Sequence, residues 1–271
     1  MLDAWGDHPV VKHTLAEASD ALGEDVAQLI QHGPKEALAL TTNTQPVMLV
    51  AGVAAYRVWL AEGGATPSVV AGHSLGEYAA LVAAGVLTLA QAAPLVRFRA
   101  QAMQDAVPVG TGAMAAILGM ASDQVIEGCR QAQATFDAGS AEVVEAVNFN
   151  DPAQTVIAGS KAAVEKACEV LKANGAKRAL PLPVSAPFHS SLMKPAAERL
   201  KEKLAATVLA RPKLRCSTTS MWLWKPILTA FATPCIVKLL VRCAGSNASK
   251  RFRRVACPLW WNAARARFWR A

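Results

Sequence analysis

The chain has 271 residues, 53% of them hydrophobic and 18% charged, which excludes a disordered tail protein or a disulfide-stapled miniprotein and leaves room for one large domain or two modest ones. Its formal charge of +8 would suggest an acidic partner, but 13 Lys and Arg and no Asp or Glu lie between Arg211 and Ala271, leaving 15 basic against 20 acidic side chains in residues 1–210. The body is mildly acidic, so a nucleic-acid reading rests on the tail alone.

Cys129 and Cys168 are the only cysteines of the body, and their spacing matches neither a disulfide framework nor a metal motif such as C-x-x-C. They read as reduced thiols of a cytoplasmic protein, with no metal and no cofactor. The N-terminus has no basic segment followed by an apolar one, and no apolar run reaches the roughly 18 residues that span a membrane. No membrane association is expected.

Helical spacing of apolar residues runs from Leu15 to Ile30, and Gln45-Pro46 opens a second periodic run from Val47 to Leu60. After the turn Gly63-Gly64-Ala65-Thr66-Pro67 comes a short strand, Ser68–Ala71, then Gly72-His73-Ser74-Leu75-Gly76, then a helix Glu77–Ala84. A further helix runs from Leu89 to Val107 and carries Arg97, Arg99 and Gln104. Beyond Gly110-Thr111-Gly112 the pattern reads as strand 113–118, helix 122–133, strand 143–148, strand 154–159, helix 161–174 and strand 177–181. That β-α-β-β-α-β order is the ferredoxin-like unit, here an insertion. Val184-Ser185-Ala186-Pro187-Phe188-His189-Ser190 then leads to a helix from Leu192 to Ala206.

The segment Gly72-His73-Ser74-Leu75-Gly76 matches G-x-S-x-G, in which a serine on a strained strand-to-helix turn stands clear of the sheet. The pattern alone also fits an ordinary turn; the strand before it and the helix after it favour the elbow. The helix aims its free N–H groups at the serine, with Leu75 as the candidate donor to an anion. A serine hydroxyl needs a base within reach. His8, His13 and His32 read as surface histidines, and His73 adjoins the serine but points elsewhere. His189 remains, either a positioned base or an ordinary loop histidine. No acidic residue stands out as a third member. Arg99 reads either as a solvated helix charge or as a fork for a carboxylate.

Taken together, Gly-His-Ser-Leu-Gly-Glu-Tyr-Ala-Ala-Leu from Gly72, Arg99-Ala-Gln-Ala-Met-Gln, Gly-Thr-Gly-Ala-Met-Ala-Ala-Ile from Gly110, Asn148-Phe149-Asn150 and Ala186-Pro187-Phe188-His189-Ser190 resemble the bacterial malonyl-CoA:acyl carrier protein transacylases. The resemblance runs to about Leu214. It implies an α/β fold: an α/β-hydrolase-like large subdomain, residues 1–112 and 182–214, with an inserted ferredoxin-like small subdomain, residues 113–181. It further implies malonyl-CoA and acyl carrier protein as partners in fatty acid synthesis. Ser74 would be the acylated nucleophile, His189 the base and acid, Arg99 the malonyl carboxylate binder and Leu75 N–H the oxyanion donor. Phe188 resembles the malonyl-selective pattern, a ring that crowds out an α-methyl branch. The alternative within the same chemistry is a serine hydrolase or thioesterase of α/β type.

Two departures accompany the resemblance. Relatives begin with a strand and a Gly-Gln-Gly-Ser-Gln loop that completes the oxyanion hole, and their C-terminal region supplies a glutamine carbonyl for the histidine. Neither is found here, so the chain is expected to be shortened at its N-terminus and impaired as written. Displacing the codon reading by one base makes Trp260-Trp261-Asn262 yield Val-Glu, and the residues through Trp269 then permit Val-Glu-Cys-Gly-Pro-Gly-Lys-Val-Leu, a family segment. Residues 215–271 are therefore expected to be read out of frame. Four of the six Cys and five of the seven Trp, all beyond Arg215, then become by-products of codons. The competing reading is a basic tail that grips nucleic acid through phosphates and stacked bases.

Overall fold

Gly23, at φ 68°, ends the first helix and divides what the sequence reads as one apolar run. Pro9–Leu22 (α1) starts at His8, whose Nδ1 accepts the Val10 N–H at 3.2 Å, with Pro9 where no intrahelical donor is needed. Val26–His32 (α2) is capped by Asp25, which accepts the Gln28 N–H at 2.8 Å. Lys35–Ala39 (α3) leads into Thr41–Ala61 (α4). This long helix begins before Gln45-Pro46 rather than at it. Pro46 lies in the second turn, where its missing N–H forfeits one bond, and burial of Val47, Leu49, Val50, Val53 and Val58 outweighs that loss.

These elements belong to a computed structural model that describes residues 2–218 apart from Ala138 and Ser185. Val69–Gly72 (β1) and Gly76–Ala83 (α5) flank the serine turn. Leu89–Asp105 (α6) opens with a reciprocal cap, in which the Gln91 N–H donates to Thr88 Oγ1 at 3.1 Å and the Thr88 N–H donates to Gln91 Oε1 at 3.0 Å. Helices α1, α4 and α6 pack on one another around the largest core, which includes Leu15, Val50, Leu89 and Val96.

Gly112–Leu118 (β2), Ser122–Gln133 (α7), Val144–Asp151 (β3), Gln154–Ser160 (β4), Lys161–Ala173 (α8) and Arg178–Pro181 (β5) follow in the expected β-α-β-β-α-β order. The sheet order is β3-β4-β2-β5, with every neighbouring pair antiparallel. Strand β3 runs three residues past its expected end before the turn into β4. Residues of alternate parity face opposite sides. Ala115, Ile117, Val144 and Ile157 pack with Val125, Val164 and Leu171 of α7 and α8, while Met114, Ala116, Val156 and Ala158 pack with Val184 and Phe188.

A single 3-10 turn, Ser191–Met193, precedes Lys194–Ala205 (α9), which packs on α6. The returning chain is tied by the Ala210 N–H to Val86 O at 3.0 Å and by the Lys213 N–H to Ala84 O at 2.7 Å. It ends as Arg215–Thr218 (β6), parallel to β1 with Val69 opposite Arg215 and Gly72 opposite Thr218. The first four residues of the segment expected to be out of frame thus form a strand. The rest of that segment, with the nucleic-acid reading attached to it, lies outside the described residues. The protein is α/β, and among the described residues no helix is long and apolar enough to cross a membrane.

Candidate active site

Between β1 and α5 the chain reverses in three residues, and Ser74 takes φ +53°, a left-handed backbone that a side chain disfavours. Gly72 makes the turn possible. A Cβ there would fall 1.9 Å from Gly76 C and 2.2 Å from Glu77 N, so strand end and helix start touch backbone to backbone. The Gly76 N–H donates to His73 O at 2.9 Å and the Glu77 N–H to Ser74 O at 3.2 Å, closing the turn. Among the described residues the Leu75 N–H meets no acceptor. It lies at the positive end of α5 beside the serine.

Arg99 comes from the third turn of α6 and is only 2% exposed, so the solvated-charge reading does not hold. One terminal nitrogen donates to Ser74 Oγ at 3.0 Å and the other to Gln45 Oε1 of α4. Its Nε is buried with no acceptor among the described residues. The Gln45 amide nitrogen in turn donates to Thr41 Oγ1 at 3.1 Å. Burial lowers the Arg99 pKa, and the nearby Tyr78 and Glu77 oppose that shift. The guanidinium lies 5.9 Å from the Tyr78 ring centroid, with Glu77 itself 1% exposed. Arginine remains charged under such conditions, so a buried cation stands against the serine oxygen.

His189 lies in the turn between β5 and α9, at φ +67°. Its ring is 6.3 Å from that of His73. Burial, then the positive Arg99, then His73 lower its pKa to about 4, so the imidazole is neutral near pH 7 and can accept a proton. Among the described residues no hydrogen bond joins it to Ser74, whose oxygen is taken by Arg99. Pro187 and Ser190 brace the turn: the Ser190 hydroxyl donates to Pro187 O at 2.7 Å. Phe188 is half-buried, packed on one side with Ala102, Met103 and Ala186 and on the other with the outer face of the small sheet.

The structure therefore brings Arg99 into contact with Ser74, beside Leu75 in the chain, and places His189 within the electrostatic reach of Arg99. Of the remaining histidines, His13 and His32 are exposed as expected, whereas His8 caps α1 and bonds Glu62 at 3.0 Å. Sequence reasoning missed Gln45, which lies 54 residues from Arg99 and carries no local motif. It also passed over Glu77, although a carboxylate in an otherwise apolar helix start was a visible signal.

An α/β protein with an elbow serine beside a buried arginine has the makings of an acyl-group transferase. A family model described as acyl transferase domain matches residues 6–225, and the chain belongs to that family. Its relatives include the malonyl CoA-acyl carrier protein transacylases of Escherichia coli (strain K12), 52% identical over 212 residues, and of Bacillus subtilis (strain 168), 48% identical over 198 residues. These matches cover 78% and 73% of this chain and 67% and 61% of the relatives. The chain thus spans about two thirds of the length of the curated relatives it matches. Among solved structures, the acyl-carrier-protein S-malonyltransferase of Burkholderia pseudomallei 1710b is 62% identical with a TM-score of 0.75, covering 80% of this chain and 68% of that one. A malonyl-transacylase bound to a type II PKS acyl-carrier protein is 48% identical with a TM-score of 0.77, covering 82% and 70%.

Proposed function

We propose that this chain is an acyl-carrier-protein S-malonyltransferase, moving a malonyl group from malonyl-CoA to the phosphopantetheine thiol of an acyl carrier protein for fatty acid biosynthesis. The observation that carries the reading is the buried Arg99 guanidinium 3.0 Å from Ser74 Oγ. A cation fixed beside the nucleophile suits an acyl group that carries its own carboxylate, because only such a group repays the desolvated charge.

Ser74 Oγ attacks the thioester carbonyl, and its proton passes to His189. The Leu75 N–H holds the resulting oxyanion; loss of one such donor typically costs about 10²–10³ in rate. The carbon–sulfur bond breaks, His189 returns the proton to the CoA sulfur, and a seryl ester of malonate remains. The carrier thiol then gives its proton to His189 and attacks the ester, and Ser74 recovers the proton. General base catalysis of this kind is worth about 10²–10⁴. A malonyl carboxylate on Arg99 does two further things. It draws the guanidinium off the serine oxygen, and it neutralises one of the charges that depress the His189 pKa, strengthening the base when the right acyl group has arrived.

Phe188 narrows the acyl pocket from the small-sheet side. The large part, residues 1–112 and 182–214, is α/β-hydrolase-like, and residues 113–181 form a ferredoxin-like insertion; what supports the latter is the β3-β4-β2-β5 antiparallel order with α7 and α8 on one face. The site of action is the cytoplasm. The test is transfer from radiolabelled malonyl-CoA and acetyl-CoA. Ser74→Ala should take up no label, and Arg99→Ala should lose malonyl transfer by about 10²-fold while keeping or gaining acetyl transfer. Equal loss for both acyl groups would make Arg99 a structural charge, and release of malonate to water without a carrier would favour a hydrolase.

A further inference from the structure

The outer face of the small sheet does more than cover apolar surface. Glu145 on β3 lies opposite Ala158 of β4, and Ala158 lies opposite Met114 of β2, so the three side chains form one row on the face that meets Phe188. A carboxylate in a row otherwise made of Met and Ala needs a reason to be there. Its partner is the backbone: Glu145 Oε2 accepts the Ser191 N–H at 2.6 Å. Ser191 is two residues beyond His189 and is the first residue of the 3-10 turn that runs into α9. Its N–H has no partner within that turn.

The same loop is held from two other directions. Gly112, at the start of β2, would place a Cβ 2.3 Å from Pro187 Cδ, so strand and loop are in closest contact there. The Ser190 hydroxyl and the Ser190 N–H both reach Pro187 O, at 2.7 and 3.3 Å. His189 at φ +67° sits between these anchors, in a backbone conformation it would leave if either side were released.

We infer that Glu145 is a positioning residue for His189: its carboxylate pins the Ser191 N–H and thereby fixes, from the small sheet, the turn that presents the imidazole to Ser74. The inference rests on His189 being the base of the proposed reaction. Among the described residues no hydrogen bond joins Glu145 to the serine turn or to Arg99, so its removal should alter the turnover step and leave acyl-donor binding alone.

The test compares wild type, Glu145→Ala and Glu145→Gln. The Gln amide oxygen can still accept the Ser191 N–H, whereas Ala cannot. Glu145→Ala should lower kcat for malonyl transfer at least tenfold with KM for malonyl-CoA within twofold. Glu145→Gln should restore most of kcat, and the melting temperature should not track this order. In parallel, the His189 imidazole resonances should shift and broaden in Glu145→Ala and not in Glu145→Gln, a readout independent of turnover. Unchanged kcat and unchanged resonances in Glu145→Ala would overturn the inference, as would a loss confined to KM. If Glu145→Ala fails to fold, Glu145→Asp carries the test, since one methylene less should stretch the bond and give an intermediate kcat. Should wild type transfer no malonyl group, the function reading fails on its own, while the resonances still report whether Glu145 orders His189.

Discussion

Among the described residues two turns hold a side chain at positive φ, Ser74 at +53° and His189 at +67°, and they are built in opposite ways. The serine turn is enforced by its own neighbours: Gly72 against Gly76 and Glu77, and hydrogen bonds three residues apart. The histidine turn is enforced from afar. Gly112 and Glu145 reach it from the small sheet, and Ala102 and Met103 pack beside it from α6. A local device keeps its geometry wherever the segment folds, whereas a turn braced by distant elements is only as well ordered as their packing. The proposed nucleophile is therefore set by a motif and the proposed base by the assembly of two parts of the chain.

A methyl group inserted into each turn should separate the two most widely. Gly72→Ala would drive a Cβ into backbone that cannot give way, costing about 3 kcal/mol or more and abolishing transfer. Gly112→Ala meets the Pro187 ring, which can retreat with its loop. It should cost about 1–2 kcal/mol yet still lower malonyl transfer, because the histidine moves with the loop. Urea unfolding and kcat measured together check this. If the two variants lose stability equally, the claimed difference in how the turns are supported is wrong.

That difference also explains what could be read from residues alone. The elbow, α5 and the β-α-β-β-α-β order were legible because each rests on short-range signals: glycines two and four apart, apolar alternation, a helix start after Ala121. Arg99 could be named but not weighed, since its burial depends on α4 lying across α6. Gln45 was invisible as a partner for the same reason, and was read instead as the opening of a helix that in fact begins at Thr41. Glu145 offered no signal, because its role exists only once β3 faces a loop 46 residues later.

Gln45 braces the cation that stands against the serine. It holds one nitrogen of Arg99 while Ser74 takes the other. Gln45→Ala leaves a buried guanidinium nitrogen unpaired, which should cost about 1–3 kcal/mol of stability and reduce malonyl transfer about tenfold through KM as the fork loses its orientation. Gln45→Glu should bind the guanidinium tightly and compete with the malonyl carboxylate, raising KM further. If neither variant changes KM, Gln45 has no part in presenting Arg99.

A smaller effect isolates backbone strain. Ser74→Ala and Ser74→Gly both remove the hydroxyl and both should be inactive, but glycine is at ease at φ +53° and alanine is not. Ser74→Gly should therefore be the more stable by about 1 kcal/mol. The same pair at His189 should show the same sign. Calorimetry on the four variants decides the point; an alanine more stable than glycine at either position would mean that the turn is not strained there.

The last test is the acid limb of the rate profile. A histidine with its ordinary pKa near 6.5 would lose its base form below neutral pH, whereas His189, held to about 4, stays neutral well into the acid range. The kcat/KM for malonyl transfer should therefore hold from pH 8 down to about 5.5 and fall only as pH approaches 4. Stability changes in the same direction, because the unfolded histidine takes up its proton near pH 6.5 and the folded one near 4. The contribution is therefore full above 6.5, erodes as pH falls through that window, and is gone below 4. Burial is the first cause of the depression and Arg99 the second. Arg99→Ala should thus move the acid limb upward but only part of the way, since the ring remains buried. No movement would show that the arginine charge does not reach the base, and a limb at 6.5 would show that the charge, rather than burial, governs it. The first outcome would remove the coupling by which a malonyl carboxylate on Arg99 strengthens its own base, and the second would make that coupling the main control of the His189 pKa.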